Sequence, residues 1–394
     1  MDAKVVDKTR TISSREKPPL VIKRVDVIPV ALPLKKPMAM AGVNITHADN
    51  ILVRIETSDG TVGWGEVASA PTRTGDTLDG LVAGVRDHLS PALVGKDAND
   101  LTTLRRAMRI SLFGNTGARS AVETALLDVV GRVSGKPLIE LLGSVSRKEV
   151  APMWLLGNAT VDADIAEAHA KQREGFHFFK LKIGTKPIEK EIAGTVTLRK
   201  AVGGEMPLCA DANCGLTLAD AQRYVSETRA AQLKFVEQPL PPEELGELAA
   251  LTKNSPVPIG ADESFHSMAD LDTIARCGVG GVSLKSTKLG GLIAAVDAAR
   301  RCRELNLSVN IAVLIAESSI ASAAAVHLAC AVPDVSWGVS LTHFYLADDI
   351  VRRPLPLGNG TVALPAGPGL GVDVDEDAVA RYRRRMQSSC TACA

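Results

Sequence analysis

The second half of the chain is a succession of short apolar runs that stop on, or carry, a charged residue. Phe179–Ile183 carries Lys180 and Lys182. Met206–Ala210 ends at Asp211, Leu233–Val236 at Glu237, Val257–Ala261 at Asp262 and Gly281–Leu284 at Lys285. Counted from Lys180, the steps are 31, 26, 25 and 23 residues, each about one strand, one loop and one helix. Between the runs, Ala219–Ala231 and Leu292–Leu305 show apolar positions at helical spacing. The alternation predicts the α/β class with a parallel sheet, closed by repetition into a (β/α) barrel. Strand C-terminal ends face the active site in such barrels, so five polar strand ends are predicted to share one mouth. Val150–Leu156 reads as the first barrel strand, Ser308–Leu314 as the seventh and Asp334–Val339 as the eighth.

The first half is patterned differently. Val21–Leu32, Asn50–Thr57 and Thr61–Val67 read as strands, the last two joined by a Ser58-Asp-Gly60 turn, a strong hairpin signal. Pro33–Ala48, with its small, polar and Met residues, reads as a loop. Helical stretches follow at Thr77–Leu89, Asp100–Ile110 and Ala118–Ser134, the last stopped by Gly135-Lys-Pro137. This predicts an α+β domain over 21–144 ahead of a barrel over 145–350. A Pro- and Gly-rich segment over 351–385 would return to the first domain, and 1–20 and 386–394 are expected to be disordered tails.

Composition narrows the function. The 394 residues are 46% hydrophobic, enough for one large core and a second smaller one. With 45 basic and 45 acidic residues the formal charge is zero, which favours neither nucleic acid nor an anionic membrane. No apolar run reaches transmembrane length and the start lacks a signal-peptide core, so a cytoplasmic location is expected. The seven cysteines show no disulfide-framework spacing, and Cys390-Thr-Ala-Cys393 has no second pair that would make it a zinc site.

The strand ends carry the chemistry. Lys180 and Lys182 fall on one face of a strand. Inside a barrel, each is expected to weaken the other's hold on its proton, leaving a base near neutral pH. On an edge strand the same pair would simply face water. Asp211, Glu237 and Asp262 within a few ångströms would repel one another unless a cation lay among them. An oxygen set without Cys or His favours Mg²⁺ or Mn²⁺ over zinc. Asn213 is expected to fix Asp211 rather than bind the ion. A Schiff-base aldolase would also place a lysine at a strand end, but has no use for the three acids.

In Lys180-Leu-Lys182, Asp211-Ala-Asn213, Glu237-Gln-Pro239, Asp262-Glu263-Ser264 and Lys285-Ser-Thr-Lys288-Leu-Gly-Gly291, the chain resembles the enolase superfamily, and within it the muconate lactonizing enzyme subgroup of the mandelate racemase/muconate lactonizing enzyme family. The segment Gly114–Asp128 is similar to a helix of that family's capping domain, and the resemblance runs from about Val21 to Ala380. It implies a modified (β/α)7β barrel with an α+β cap. It also implies Asp211, Glu237 and Asp262 as metal ligands, with Lys182 and Lys285 addressing the two faces of a carbon next to a carboxylate and Lys180 adding positive charge. Proton transfer at that carbon through a cation-stabilised enediolate is the expected reaction.

Cycloisomerisation of an unsaturated diacid to a lactone is the first expectation, from Phe179–Gly184 and Gly114–Thr116. The Asp211-Ala-Asn-Cys-Gly215 run is closer to the subgroup's amino-acid racemases, dipeptide epimerases and succinylbenzoate synthases. A non-catalytic carboxylate binder is the alternative from another class. Glu263 and Glu317 are expected as supporting residues, and Met38, Met40, Val43, Asn44 and His47 as specificity candidates on a loop over the mouth. The partners implied are a small carboxylate substrate and further copies of the chain, an octamer being plausible in this family.

Overall fold

The computed structural model describes residues 19–40 and 43–385. The tails expected at 1–20 and 386–394, and the Cys390/Cys393 pair, lie outside the described residues apart from Pro19 and Leu20. Leu20 is not loose: it is buried, and its N–H donates to the Asp97 carboxylate at 3.0 Å.

Three antiparallel strands open the chain, β1 (Ile22–Met40), β2 (Val43–Thr57) and β3 (Val62–Ala68), in the order β1-β2-β3. The stretch Pro33–Ala48, expected as a loop, is instead the extended end of the β1–β2 hairpin, paired from Met38↔Ile45 to Met40↔Val43. Its register breaks between Pro33 and Met38. Pro33 and Pro37, which have no N–H to give a ladder, fall in or beside that break. Ile45 and Thr46 supply the β-branched side chains that favour an extended chain.

The helix Thr116–Ser134 packs on this sheet. It is buried almost all round, with Ala121, Val122, Ala125 and Val129 in the sheet-side core and Leu127 in the barrel-side core. A helix sandwiched between two layers needs no polar face, which is why its pattern is weakly amphipathic. Of its two buried acids, Asp128 is a knot: it accepts the N–H of Trp64 (2.9 Å) and of Leu370 (2.8 Å) and the Arg132 guanidinium (2.9 Å). Sheet, helix and C-terminal segment are thereby tied at one carboxylate.

After β4 (Glu149–Val150), eight parallel strands form a closed barrel: β5 (Pro152–Leu156), β6 (Phe179–Lys182), β7 (Leu208–Asp211), β8 (Val236–Glu237), β9 (Ile259–Ala261), β10 (Gly281–Leu284), β11 (Ser308–Ala312) and β12 (Val339–Ser340). Helices separate the strands up to β12, and a short 3₁₀ turn at His343–Tyr345 follows it. This is the (β/α)7β arrangement. Three strand boundaries differ from expectation. Glu149–Val150 leaves the barrel to pair antiparallel with β13 (Val362–Ala363), and Pro152, lacking an N–H, begins the barrel strand. The seventh strand stops at Ala312. The eighth starts only at Val339, because Asp334 turns the chain, accepting the N–H groups of Val309 and Ser336.

The end of the barrel away from the mouth is filled by Phe235 stacked on Trp337, centroids 4.1 Å apart, with Met153, Phe178 and Cys209. A side chain at Gly281 would lie 2.8 Å from the Trp337 ring, so the small residue there makes room for the plug. Buried on both faces, these strands read as continuous apolar runs, and their interior is a packed core rather than a channel. Among the described residues, no helix is long and apolar enough to cross a membrane.

Candidate active site

Strand register sets the geometry of the mouth. Lys182 pairs with Asp211, Asp211 with Glu237, and Glu237 with Gly260. Side chains alternate along a strand, so Asp262, two residues beyond Gly260, points to the same side one layer higher, and Lys285 does so from β10. All six of the expected lysines and acids, Lys180, Lys182, Asp211, Glu237, Asp262 and Lys285, line a single cavity of about 350 Å³ at the C-terminal ends of the strands.

The charges inside are paired. Lys180 Nζ donates to Glu237 Oε2 at 2.5 Å, and Lys182 Nζ to Asp211 Oδ2 at 2.6 Å and to Asn213 Oδ1 at 2.7 Å. Lys285 donates to Asp262 Oδ2. The expectation that Lys180 and Lys182 would loosen one another's protons is overturned for Lys180. Burial lowers Lys180, but the Glu237 and Asp211 carboxylates outweigh it and hold the ammonium above its ordinary value. Burial likewise opposes Lys285, and Asp262, with Glu263 and Glu237, wins. Carboxylates brought from strands far along the chain dominate over the neighbouring lysine.

The acids feel the same field. Burial raises Asp262, but Lys285 and Lys288 bring it well below the carboxylate range; burial, then repulsion from Asp211, pushes Glu237 up. Three buried carboxylates from adjacent strands, all with hard oxygen donors, fit a divalent cation. As they stand, the ammonium groups occupy their oxygens. Among the described residues, no three Asp, Glu, His or Cys side chains are gathered closely enough to hold an ion.

A supporting layer orders these groups. Asn213 bridges Lys182 and Glu263, its Nδ2 donating to Glu263 Oε1 at 3.0 Å, and its N–H donates to Asp211 Oδ1 at 3.0 Å. Asn213, Cys214 and Gln238 all have positive φ (43°, 66° and 36°), so the backbone turns sharply just beyond β7 and β8. The turn after β6 nests against the turn after β7, where a side chain at Gly184 (φ 84°) would sit 2.8 Å from the Ala212 carbonyl.

Three contributors were not singled out in the sequence. Gln238 Oε1 accepts the N–H of Asp262 and of Ser264, clamping β8 to the loop after β9. Lys288 lies beneath Asp262, three residues after Lys285 on one helical turn, a spacing that was visible in the Lys-Ser-Thr-Lys motif. Arg73, from the turn after β3, lines the cavity and lies 3.8 Å from Glu263 Oε1; nothing in its local sequence marks it.

The remaining candidates divide. Asn44 and His47 line the cavity, together with Ile45 and Thr46, because the β1–β2 hairpin reaches over the mouth. Its outer strand is held by Lys36 Nζ on Glu167 Oε2 (2.5 Å) and by the Pro33 carbonyl, which accepts the Ala347 N–H (2.8 Å). Met38 packs partly buried against the core instead of lining the cavity. The side chains of Met40 and Val43 lie outside the described residues.

Glu317 also lies away from the cavity. It accepts the N–H groups of Ala68 (3.0 Å) and Leu314 (2.8 Å) and, with Glu66, borders a small hollow between the first domain and the barrel. Burial, then the Glu66 charge, pushes Glu317 up to about 8.

Residues 22–143 match the family described as mandelate racemase / muconate lactonizing enzyme, N-terminal domain, and residues 163–378 the enolase C-terminal domain-like family. The chain belongs to the enolase superfamily, in its muconate lactonizing enzyme subgroup. Muconate cycloisomerase 1 of Rhodococcus opacus is 32% identical over 370 residues, 93% of this chain and 99% of that protein. The muconate lactonizing enzyme from Pseudomonas fluorescens, solved in complex with muconolactone, superposes with a TM-score of 0.90 at 28% identity, covering 93% of this chain and 100% of that one. An N-succinyl Arg/Lys racemase from Bacillus cereus shares the fold (TM-score 0.88, 23% identity, 93% and 99% covered). This subgroup member is an enzyme of the isomerase class.

Proposed function

We propose that this enzyme is a divalent-metal-dependent cycloisomerase acting on an unsaturated diacid of the muconate type. The observation that carries the reading is the convergence of Lys182 and Lys285 on one cavity from the second and sixth of eight barrel strands, with three carboxylates beside them. Full-length similarity to cycloisomerases supports the substrate class.

Asp211, Glu237 and Asp262 would hold Mg²⁺ or Mn²⁺, which as a Lewis acid supplies positive charge to a substrate carboxylate. In the forward reaction, one carboxylate oxygen of the diacid adds to an alkene carbon, and the alkene electron pair moves toward the carbon next to the other carboxylate. A lysine ammonium, Lys182 in this proposal, delivers its proton to that α-carbon, which completes the lactone, and the neutral amine regains a proton from solvent. In reverse the same amine removes the α-proton. Asn213 and Asp211 aim Lys182, and Lys180, held as an ammonium, adds charge stabilisation. Lys285 faces the site from the opposite wall and contributes a second positive charge.

Because both lysines are in place, exchange at both faces of an α-carbon, as in racemisation or epimerisation of an amino-acid derivative, is the second reading. Incubation with cis,cis-muconate separates them. Ring closure breaks the diene conjugation, so ultraviolet absorbance falls with Mg²⁺ and not with chelator if the first reading holds. If absorbance is unchanged while an N-acyl amino acid racemises, the second holds.

A further inference from the structure

We propose that the small hollow between the first domain and the barrel binds one monovalent cation of about the size of sodium, held by Glu317 together with the hydroxyls of Thr124 and Thr287. The site is separate from the three carboxylates at the barrel mouth, and it does not depend on the reaction assigned there. It sits close behind that mouth, because Ala312 and Val313 line both the hollow and the cavity.

The hollow measures about 20 Å³, room for one occupant the size of a water molecule. Its polar wall is Glu66 of β3, Thr124 of the helix Thr116–Ser134, Ser286 and Thr287 after β10, and Glu317 after β11. Thr287 is 5% exposed, and its Oγ1 has no hydrogen-bond partner within the protein. A buried hydroxyl in that state costs free energy unless an occupant of the hollow bonds it. The two acids differ in what they have left to offer. Glu66 is saturated by Asn50 Nδ2 at 2.7 Å, the Ser318 N–H at 2.9 Å, Ser318 Oγ at 2.5 Å and the Ala321 N–H at 3.1 Å. Glu317 accepts one N–H on each oxygen, from Ala68 at 3.0 Å and Leu314 at 2.8 Å, so each oxygen keeps a lone pair.

The charges around the hollow point the same way. Glu317 feels Glu66 from β3 and Lys285 from the end of β10, and Lys285 weighs less than the Ala68 and Leu314 N–H groups. Thr342, after β12, presents only a hydroxyl, which accepts the Glu317 N–H at 3.2 Å. The groups that most favour ionised Glu66 are the neutral donors Ser318, Ala321 and Asn50. Two carboxylates thus share a buried junction with little positive charge to balance them, a state that a proton or a cation relieves. Burial, joined for Glu317 by the Glu66 charge, lifts the pair to about 7 and about 8, so near neutral pH the proton is readily exchanged for an ion. The all-oxygen lining suits a hard cation. Mg²⁺ would keep several waters and Ca²⁺ would ask for six or more oxygens, and a hollow for one occupant has room for neither arrangement.

The test is the melting temperature of the Mg²⁺-loaded protein in sodium, potassium and choline chloride at equal ionic strength, choline being too large for the hollow. At about pH 9, sodium is expected to raise the melting temperature over choline by about 2 °C, the effect of a roughly tenfold excess of ligand over its Kd. At about pH 6, where protons compete for the same carboxylates, the difference should vanish. Glu317→Gln keeps the shape and removes the charge, and is expected to abolish the sodium shift. Thr287→Val keeps both carboxylates and is expected to reduce the shift; should Glu317→Gln fail to fold, an undiminished shift in Thr287→Val overturns the proposal by itself. Equal melting temperatures in sodium and choline at every pH would overturn it too and leave the hollow to a water molecule. So would a sodium shift that survives in Glu317→Gln, one that does not grow with pH, or a larger shift in potassium than in sodium.

Discussion

Lys288 lies directly beneath Asp262: its Nζ donates to Asp262 Oδ1 at 2.7 Å, to the Asp262 carbonyl at 2.6 Å and to the Ser283 carbonyl at 2.9 Å. Asp262 therefore has two lysine partners with different tasks. Lys285 reaches it from the cavity, and Lys288 is 1% exposed and saturated with acceptors.

This division predicts opposite outcomes for two similar substitutions. Lys288→Met removes the donor to Asp262 Oδ1 and to the Ser283 carbonyl, leaving Asp262 only Lys285 at its carboxylate and the Phe265 N–H at its carbonyl, and is expected to cost about 3 kcal/mol of stability, the lower end for breaking a buried ion pair. Lys285→Ala leaves Asp262 held from below and is expected to fold normally. Urea unfolding of the two variants measures the difference.

Lys182→Ala is expected to retain the wild-type melting temperature and to lose at least about 10²-fold in rate, the lower end for general acid–base catalysis. Asp211→Asn, Glu237→Gln and Asp262→Asn should instead lose Mg²⁺ affinity, read by calorimetric titration. Wild-type turnover in Lys182→Ala would remove that lysine from the proton-transfer role.

A pH effect on stability follows from the junction between the first domain and the barrel. Glu66 accepts Asn50 Nδ2 at 2.7 Å and Ser318 Oγ at 2.5 Å, while burial, the largest influence, pushes its carboxyl up to about 7. Glu317 beside it is pushed to about 8. Raised carboxyl values mean that the folded protein holds these protons more tightly than the unfolded chain does. Their stabilisation is complete below about pH 4.5 and is lost as pH rises through 7 to 8. Below about pH 6.5 the trend is opposed by His327 and His343, which burial lowers to about 4 and which must be charged in the unfolded chain. Melting temperature is therefore expected to fall between pH 7 and 9, by the equivalent of a few kcal/mol at most. The fall should be shallower in Glu317→Gln; equal slopes would contradict this assignment.

The barrel and the residues at its mouth were legible because the code is local. An apolar run ending in a charge is visible wherever it occurs, and a strand's two-residue period puts Lys180 and Lys182 on one face without further information. The partners of those lysines were not legible. Glu237 is 57 residues from Lys180 in sequence, and only the closed barrel makes it, rather than Lys182, the dominant neighbour; the expected direction of the Lys180 shift was wrong for that reason. The hairpin over the mouth was hidden because Pro33, Pro37 and small residues read as loop, whereas the structure accommodates the prolines at a break in register. Arg73 carried no pattern at all, since a lone arginine in a turn gains its meaning from the cavity it faces.

The central claim is proton transfer at the carbon next to a carboxylate, and deuterium exchange tests it most directly. Muconolactone is incubated in D₂O with the enzyme and Mg²⁺, and in parallel with a chelator, and the α-carbon is followed by NMR. Deuterium gain that requires the metal and disappears in Lys182→Ala is the predicted result. Exchange that is absent with Mg²⁺, or that proceeds equally with chelator, would contradict the account.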